Sequence, residues 1–93
     1  MSFELGNVVM TRGVADEMAE NEMFAKEVHA ALGRYQSGDW GDMDEEDMVM
    51  NDMAVTSGED RIFAAYNLSS GERVWIITEW DRSCSTILFP EEY

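Results

Sequence analysis

Apolar residues along this chain follow one period before Asp60 and another after it. In the first part they recur every three to four residues, most clearly at Phe24, Val28, Ala31 and Tyr35, whose spacings of 4, 3 and 4 put them on one helical face. The spacing predicts a helix from Glu22 to about Tyr35, capped by Asn21, with that face in the core. A shorter helix is expected from Val14 to about Ala19. A third is expected to start near Asp42 or Asp44 and to run to about Val55, where Ser57-Gly58 stops it. Met50, Met53 and Ala54, with Met43 one turn earlier, form its predicted buried stripe. Between the second and third helices, Ser37-Gly38-Asp39-Trp40-Gly41-Asp42 sets two glycines around a large aromatic, the pattern of a tight loop pinned by Trp40.

After Asp60 the period shortens to two. Arg61 to Leu68, Arg73 to Glu79 and Cys84 to Phe89 are rich in Ile, Val, Thr and aromatics and are predicted strands. Ser69-Ser70-Gly71-Glu72 and Trp80-Asp81-Arg82-Ser83 supply the turns of an antiparallel meander. Val74, Ile76 and Thr78 face one way and Trp75, Ile77 and Glu79 the other, so the middle strand should be central. Phe3 to Thr11, with Val8-Val9-Met10, offers a short additional N-terminal strand. The expected fold class is α+β: two to three N-terminal helices packed on one face of a three-stranded antiparallel meander. The 93 residues allow one domain, 1–93.

Charge sharpens this picture. Twenty Asp and Glu stand against six Lys and Arg, for a net charge of −14. DNA, RNA and anionic membranes would repel such a chain, so none is expected as a direct ligand. Yet 45% of the residues are apolar and 11% aromatic, too much core material for a solvated acidic tail. The charge is also concentrated. Residues 35–60 hold nine of the acids and no Lys or Arg, so this stretch alone carries −9.

Most of those acids form one block: Asp39, Asp42, Asp44, Glu45, Glu46, Asp47 and Asp52. Helical neighbours at i, i+3 and i+4 lie about 5–6 Å apart, a spacing on the scale of backbone phosphates, so the block could stand in for nucleic acid in a Lys/Arg-lined groove. Its structural alternative is a helix N-terminus, with Asp44 as cap and Glu45, Glu46 and Asp47 in the first turn, each favoured by about 0.3–1 kcal/mol through the helix dipole. A metal site is not expected. An EF-hand loop needs Gly at position 6 and Glu at position 12; counted from Asp39 these are Asp44 and Met50, and counted from Asp42 they are Asp47 and Met53.

No catalytic set emerges, and no cofactor is expected. His29 is the only histidine, and Cys84, the only cysteine, has no nearby His in sequence and is expected as a small buried residue in its strand. A lone cysteine allows no internal disulfide and fits a reducing cytosol. The opening Met1-Ser2-Phe3-Glu4-Leu5-Gly6 lacks the basic and apolar regions of a signal peptide, and the longest apolar run, Val74 to Ile77, is far short of a bilayer span. A soluble protein of the bacterial cytoplasm is the expectation. Trp40 is expected in the core. Trp80, beside a turn, is a candidate partner-facing anchor. Asp81 and Arg82 at that hairpin tip are expected to make an ion pair or a turn hydrogen bond.

Two stretches carry a resemblance. Gly38-Asp39-Trp40-Gly41-Asp42 with Asp44-Glu45-Glu46-Asp47, and Trp75-Ile76-Ile77-Thr78-Glu79-Trp80-Asp81-Arg82-Ser83 running on through Thr86-Ile87-Leu88-Phe89-Pro90-Glu91-Glu92-Tyr93, resemble small acidic accessory proteins carried by plasmids and phages. The resemblance covers most of the chain from Leu32 onward. It implies a mobile-element accessory protein, and among such proteins are acidic inhibitors of host nucleases, both anti-CRISPR and anti-restriction. The implied partner is a basic nucleic-acid-binding protein, a CRISPR effector or restriction enzyme. The alternative is an interaction module that uses its apolar or aromatic surface, for which a homodimer through an exposed sheet edge is one form, with the acids serving solubility alone.

Overall fold

A computed structural model describes residues 3–93; Met1 and Ser2, which open the segment read above for a leader, lie outside the described residues. Strand β1 (Asn7–Met10) leads into helices α1 (Arg12–Glu20), α2 (Glu22–Gln36) and α3 (Glu45–Ser57). Strands β2 (Ile62–Asn67), β3 (Arg73–Thr78) and β4 (Cys84–Leu88) follow, and a 3₁₀ turn, Pro90–Glu92, ends the chain. Local chemistry sets the helix starts. Thr11 Oγ1 accepts the Val14 N–H at the head of α1, and Asn21 Oδ1 accepts the Phe24 N–H at 3.1 Å at the head of α2. Gly58, at φ 73°, ends α3 in the left-handed region that glycine enters without penalty.

The predicted face of α2 is the core face: Phe24, Val28, Ala31 and Tyr35 are all buried. They meet Ile62, Ala64 and Tyr66 of β2, Val74 and Ile76 of β3, and Ile87 of β4, with Val14 of α1 closing one end. Trp40 is 3% exposed and meets Tyr35 edge-on at 5.6 Å, so the glycine-flanked loop is pinned as its sequence predicts. The other face of the sheet carries Phe63, Trp75 and, from the chain end, Tyr93, stacked edge-to-face at 4.9 and 5.6 Å.

The sheet corrects the expected three-stranded antiparallel meander. It has four strands in the order β1-β4-β3-β2 and is mixed, because β1 runs parallel to β4 with Asn7 opposite Cys84 and Met10 opposite Ile87. The β2–β3 and β3–β4 pairs are antiparallel. Both β3 and β4 are therefore interior strands. The cause lies in contacts remote in sequence. Asn7 N–H donates to the Ser83 carbonyl and Thr11 N–H to that of Ile87, and buried Ser85 Oγ donates at 2.7 Å to the Leu5 carbonyl, 80 residues away. Gly6 permits the approach: its φ is 64°, and a Cβ there would overlap the Arg82 and Ser83 carbonyls.

Two further expectations are corrected. Of the predicted buried stripe of α3, Ala54 is buried and Met43 packs partly against the core, but Met50 and Met53 are 61% and 62% exposed, and the helix buries Asn51 in their place. Cys84 is only half-buried, because the strand alternation gives the inward place to its neighbour Ser85.

Candidate functional site

The arrangement of α3 follows from the edge of the sheet. β2 is an edge strand, and its outer backbone groups need partners. Asn51 supplies two of them: its amide nitrogen donates to the Phe63 carbonyl at 2.7 Å and its amide oxygen accepts the Phe63 N–H. Two residues along, the Ala65 carbonyl accepts the Asp42 N–H, and Asp42 Oδ2 accepts the Asn67 N–H at 2.9 Å. Gly41, at φ 72°, lets the loop come this close, since any Cβ would strike the Ala65 carbonyl. The chain thus covers its own β2 edge with a loop and one side chain from α3.

The far end of α3 is fastened differently. Arg82, at φ 61°, sends its guanidinium to the carbonyls of Ala54 in the last turn of α3 (2.8 Å), Asp60 (2.7 Å) and Trp80 (3.0 Å). A cation at a helix C-terminus is favoured by the dipole as well as by the hydrogen bonds. Of the two expected hairpin contacts, the turn hydrogen bond forms, from Ser83 N–H to Asp81 Oδ1 at 3.0 Å, while Arg82 pairs with carbonyls rather than with Asp81. The turn that carries Trp80 is therefore tied to the C-terminal end of α3.

Held at its middle by Asn51 and near its C-terminal end by Arg82, α3 is apolar on two sides. Met48, Ala54 and Val55 pack inward. Val49, Met50 and Met53, at 51%, 61% and 62% exposure, form an outward ridge with Glu46. Glu45 and Asp52 flank the ridge on one side and Asp47 on the other, and no basic residue lies on the helix. Trp80, 64% exposed, stands on the turn at its far end.

The predicted acidic block divides into two groups. Asp39, Asp42 and Asp52 have internal work. Asp39 accepts from Arg34 Nε at 2.7 Å and from the Gly41 N–H, and the guanidinium holds its carboxyl below the usual carboxylate range. Asp52 accepts the indole N–H of Trp40 at 2.9 Å, giving that buried ring its polar partner. Asp44, Glu45, Glu46 and Asp47 are exposed and make no side-chain hydrogen bond or ion pair among the described residues. Asp44 occupies the N-cap position of α3 without forming the cap bond. The dipole favours these four where they stand, but nothing in the fold engages them.

Reading the sequence missed Val49, Met50 and Met53 as surface residues. No local signal separates them from Met48 and Val55, which form an equally apolar side of the helix; the buried side is selected by Asn51, whose partner Phe63 lies on β2. Among the described residues no three His, Cys, Asp or Glu side chains are gathered so as to hold a metal ion, and His29 is exposed on α2. No helix among them is long and apolar enough to cross a membrane. Compared with known proteins, the chain matches no protein family, no curated protein and no solved structure.

Proposed function

We propose that this protein is a binding protein that docks through α3 on the basic, nucleic-acid-binding groove of a host defence protein, a CRISPR effector or restriction enzyme, and so competes with nucleic acid there. The observation that carries the reading is the N-terminal turn of α3, where Asp44, Glu45, Glu46 and Asp47 stand exposed and unengaged at the head of a helix without a single cation. Four carboxylates within one helical turn, fixed on a folded surface, present a negative field a Lys/Arg-lined cleft can meet without the protein reorganising. The mobile-element context rests on the sequence resemblance, and it makes a nuclease of the host the fitting target.

A decisive test expresses the protein in cells that restrict incoming phage and compares it with the quadruple variant Asp44→Asn, Glu45→Gln, Glu46→Gln, Asp47→Asn. The parent should raise phage plating efficiency and the variant, folded by circular dichroism, should lose most of that effect. A folded variant that protects as well as the parent would rule out the acids as the recognition element.

Val49, Met50 and Met53 favour a second reading, an interaction module in which the apolar ridge supplies the affinity and the acids serve solubility. The two differ in salt dependence. Binding by charge weakens steeply between 50 and 300 mM NaCl, on the order of tenfold or more, whereas binding by the ridge changes little.

A further inference from the structure

The outward side of α3 is neither purely acidic nor purely apolar, and that combination narrows the partner. A bare phosphate-binding cleft would be served by carboxylates alone; an exposed Val49-Met50-Met53 ridge would then be a solubility cost with nothing gained. A helix apolar on two sides but packed on one has an unfilled side. Beside the ridge, between α3 and β2, runs a groove lined by Met43, Met50, Asn51 and Phe63, with Asp47, Asp60 and one cation, Arg61, at its margins. Its floor is mostly apolar and two of its three charged margin residues are carboxylates; Arg61, the third, donates to the Tyr93 hydroxyl.

We infer that the element α3 receives is an amphipathic helix of the partner, apolar along one face and bearing Lys or Arg on both flanks. This rests on the reading of α3 as the docking element and specifies what it docks. The 13 residues of α3 span about 20 Å, room for three to four turns of a partner helix packed ridge against groove. Unbranched methionine side chains adapt to whichever apolar residues the partner offers. Lys and Arg suit the flanks because their aliphatic stems continue the apolar contact while their cations reach Glu45 and Asp52 on one side and Asp47 and Asp60 on the other. Charge complementarity singles out this occupant over a second copy of the chain, whose own α3 would bring the same carboxylates face to face.

Three synthetic peptides of about 18 residues test it with the intact protein by titration calorimetry. One is a helix with Leu at i, i+3, i+4 and i+7 and Lys on the flanks. The second has the same composition reordered so that no face is apolar, and the third keeps the Lys positions but carries Ser in place of every Leu. The first should bind at least tenfold more tightly than the other two. Met50→Ser with Met53→Ser should abolish that preference while leaving the weak binding of the reordered peptide unchanged; both positions are exposed, so the variant should fold. Equal affinity for all three peptides would overturn the amphipathic helix as partner and leave the acidic docking surface standing. If the quadruple acid-to-amide variant binds the first peptide as tightly as the parent does, the acidic reading fails as well.

Discussion

Tyr35, Thr78 and Ser85 form a chain of buried hydroxyls whose proton order can be worked out. Ser85 Oγ donates to the Leu5 carbonyl, so it must accept from Thr78 Oγ1 at 2.7 Å; Thr78, having donated, must accept from Tyr35 OH at 2.7 Å. The Ile62 carbonyl, at 3.1 Å from the same phenol, is then left with only a secondary share of that proton. Each residue comes from a different element, so the chain ties α2, β3, β4 and the segment before β1 together. Burial pushes the Tyr35 phenol above its usual range and keeps it neutral. Tyr35→Phe should cost about 1–3 kcal/mol in urea unfolding, because Thr78 is left with an unmet acceptor in a water-free place. A loss below a few tenths of a kcal/mol would mean the chain is not formed in solution. Arg82 offers a second check. Its left-handed backbone is costly for any residue but glycine, so Arg82→Gly should be less destabilising than Arg82→Ala by about 1 kcal/mol, although both lose the same hydrogen bonds to carbonyls. Asp39 adds a dependence on pH. Its folded pKa lies below the unfolded one, so its contribution is complete above the ordinary carboxylate range and is lost as pH falls through the depressed value. The acid limb of a stability profile, followed below about pH 4, should accordingly be shallower in Asp39→Asn.

At the scale of elements, α3 is where packing and sequence part company. Truncating its outward residues, Met50→Ser with Met53→Ser, should leave the unfolding midpoint within about 0.5 kcal/mol of the parent, since neither side chain supports the core. Asn51→Ala, one position along the helix, should cost about 1–3 kcal/mol by stripping the Phe63 N–H and carbonyl of their partners. Side-by-side denaturant melts decide it; equal losses in the two variants would place the ridge inside the core. How far these elements were legible in the sequence depended on where their determinants lie. The face of α2 and the two antiparallel pairs are local, encoded by 4, 3, 4 spacing and by short turns, and they were readable. β1 was not readable as a parallel partner of β4, since its determinants are Gly6, Ser83 and Ser85 at the opposite end of the chain. The orientation of α3 was hidden for another reason. Apolar residues on both sides of a helix do not say which side is buried; that is decided by Asn51, a polar residue whose value lies in reaching an edge strand. Of the candidate site, the acidic character of α3 was legible and the division of labour among the acids was not. Asp39, Asp42 and Asp52 resemble their neighbours in sequence, and only Arg34, Asn67 and Trp40 distinguish them.

For the whole molecule the governing quantity is −14 on 93 residues. Two ion pairs, Lys26 with Glu22 and Arg34 with Asp39, relieve it among the described residues. The remaining self-repulsion opposes the compact state and is screened by salt. Raising NaCl from about 20 to 500 mM should therefore raise the thermal midpoint of the free protein, and a midpoint that fell would show that favourable ion pairs outweigh repulsion. The same field gives the molecule its direction: its densest part is an exposed helix, fixed to the sheet edge by Asn51 and at its end by Arg82, which offers carboxylates around an apolar ridge. The most direct test of that claim is an amide chemical-shift map of the labelled protein titrated with the Leu/Lys amphipathic peptide. The largest shifts should fall on residues 44–57 and on the Trp80 indole, with the sheet face of Phe63, Trp75 and Tyr93 affected only near Met50. Largest shifts on β1 or on α1, with α3 unmoved, would contradict it.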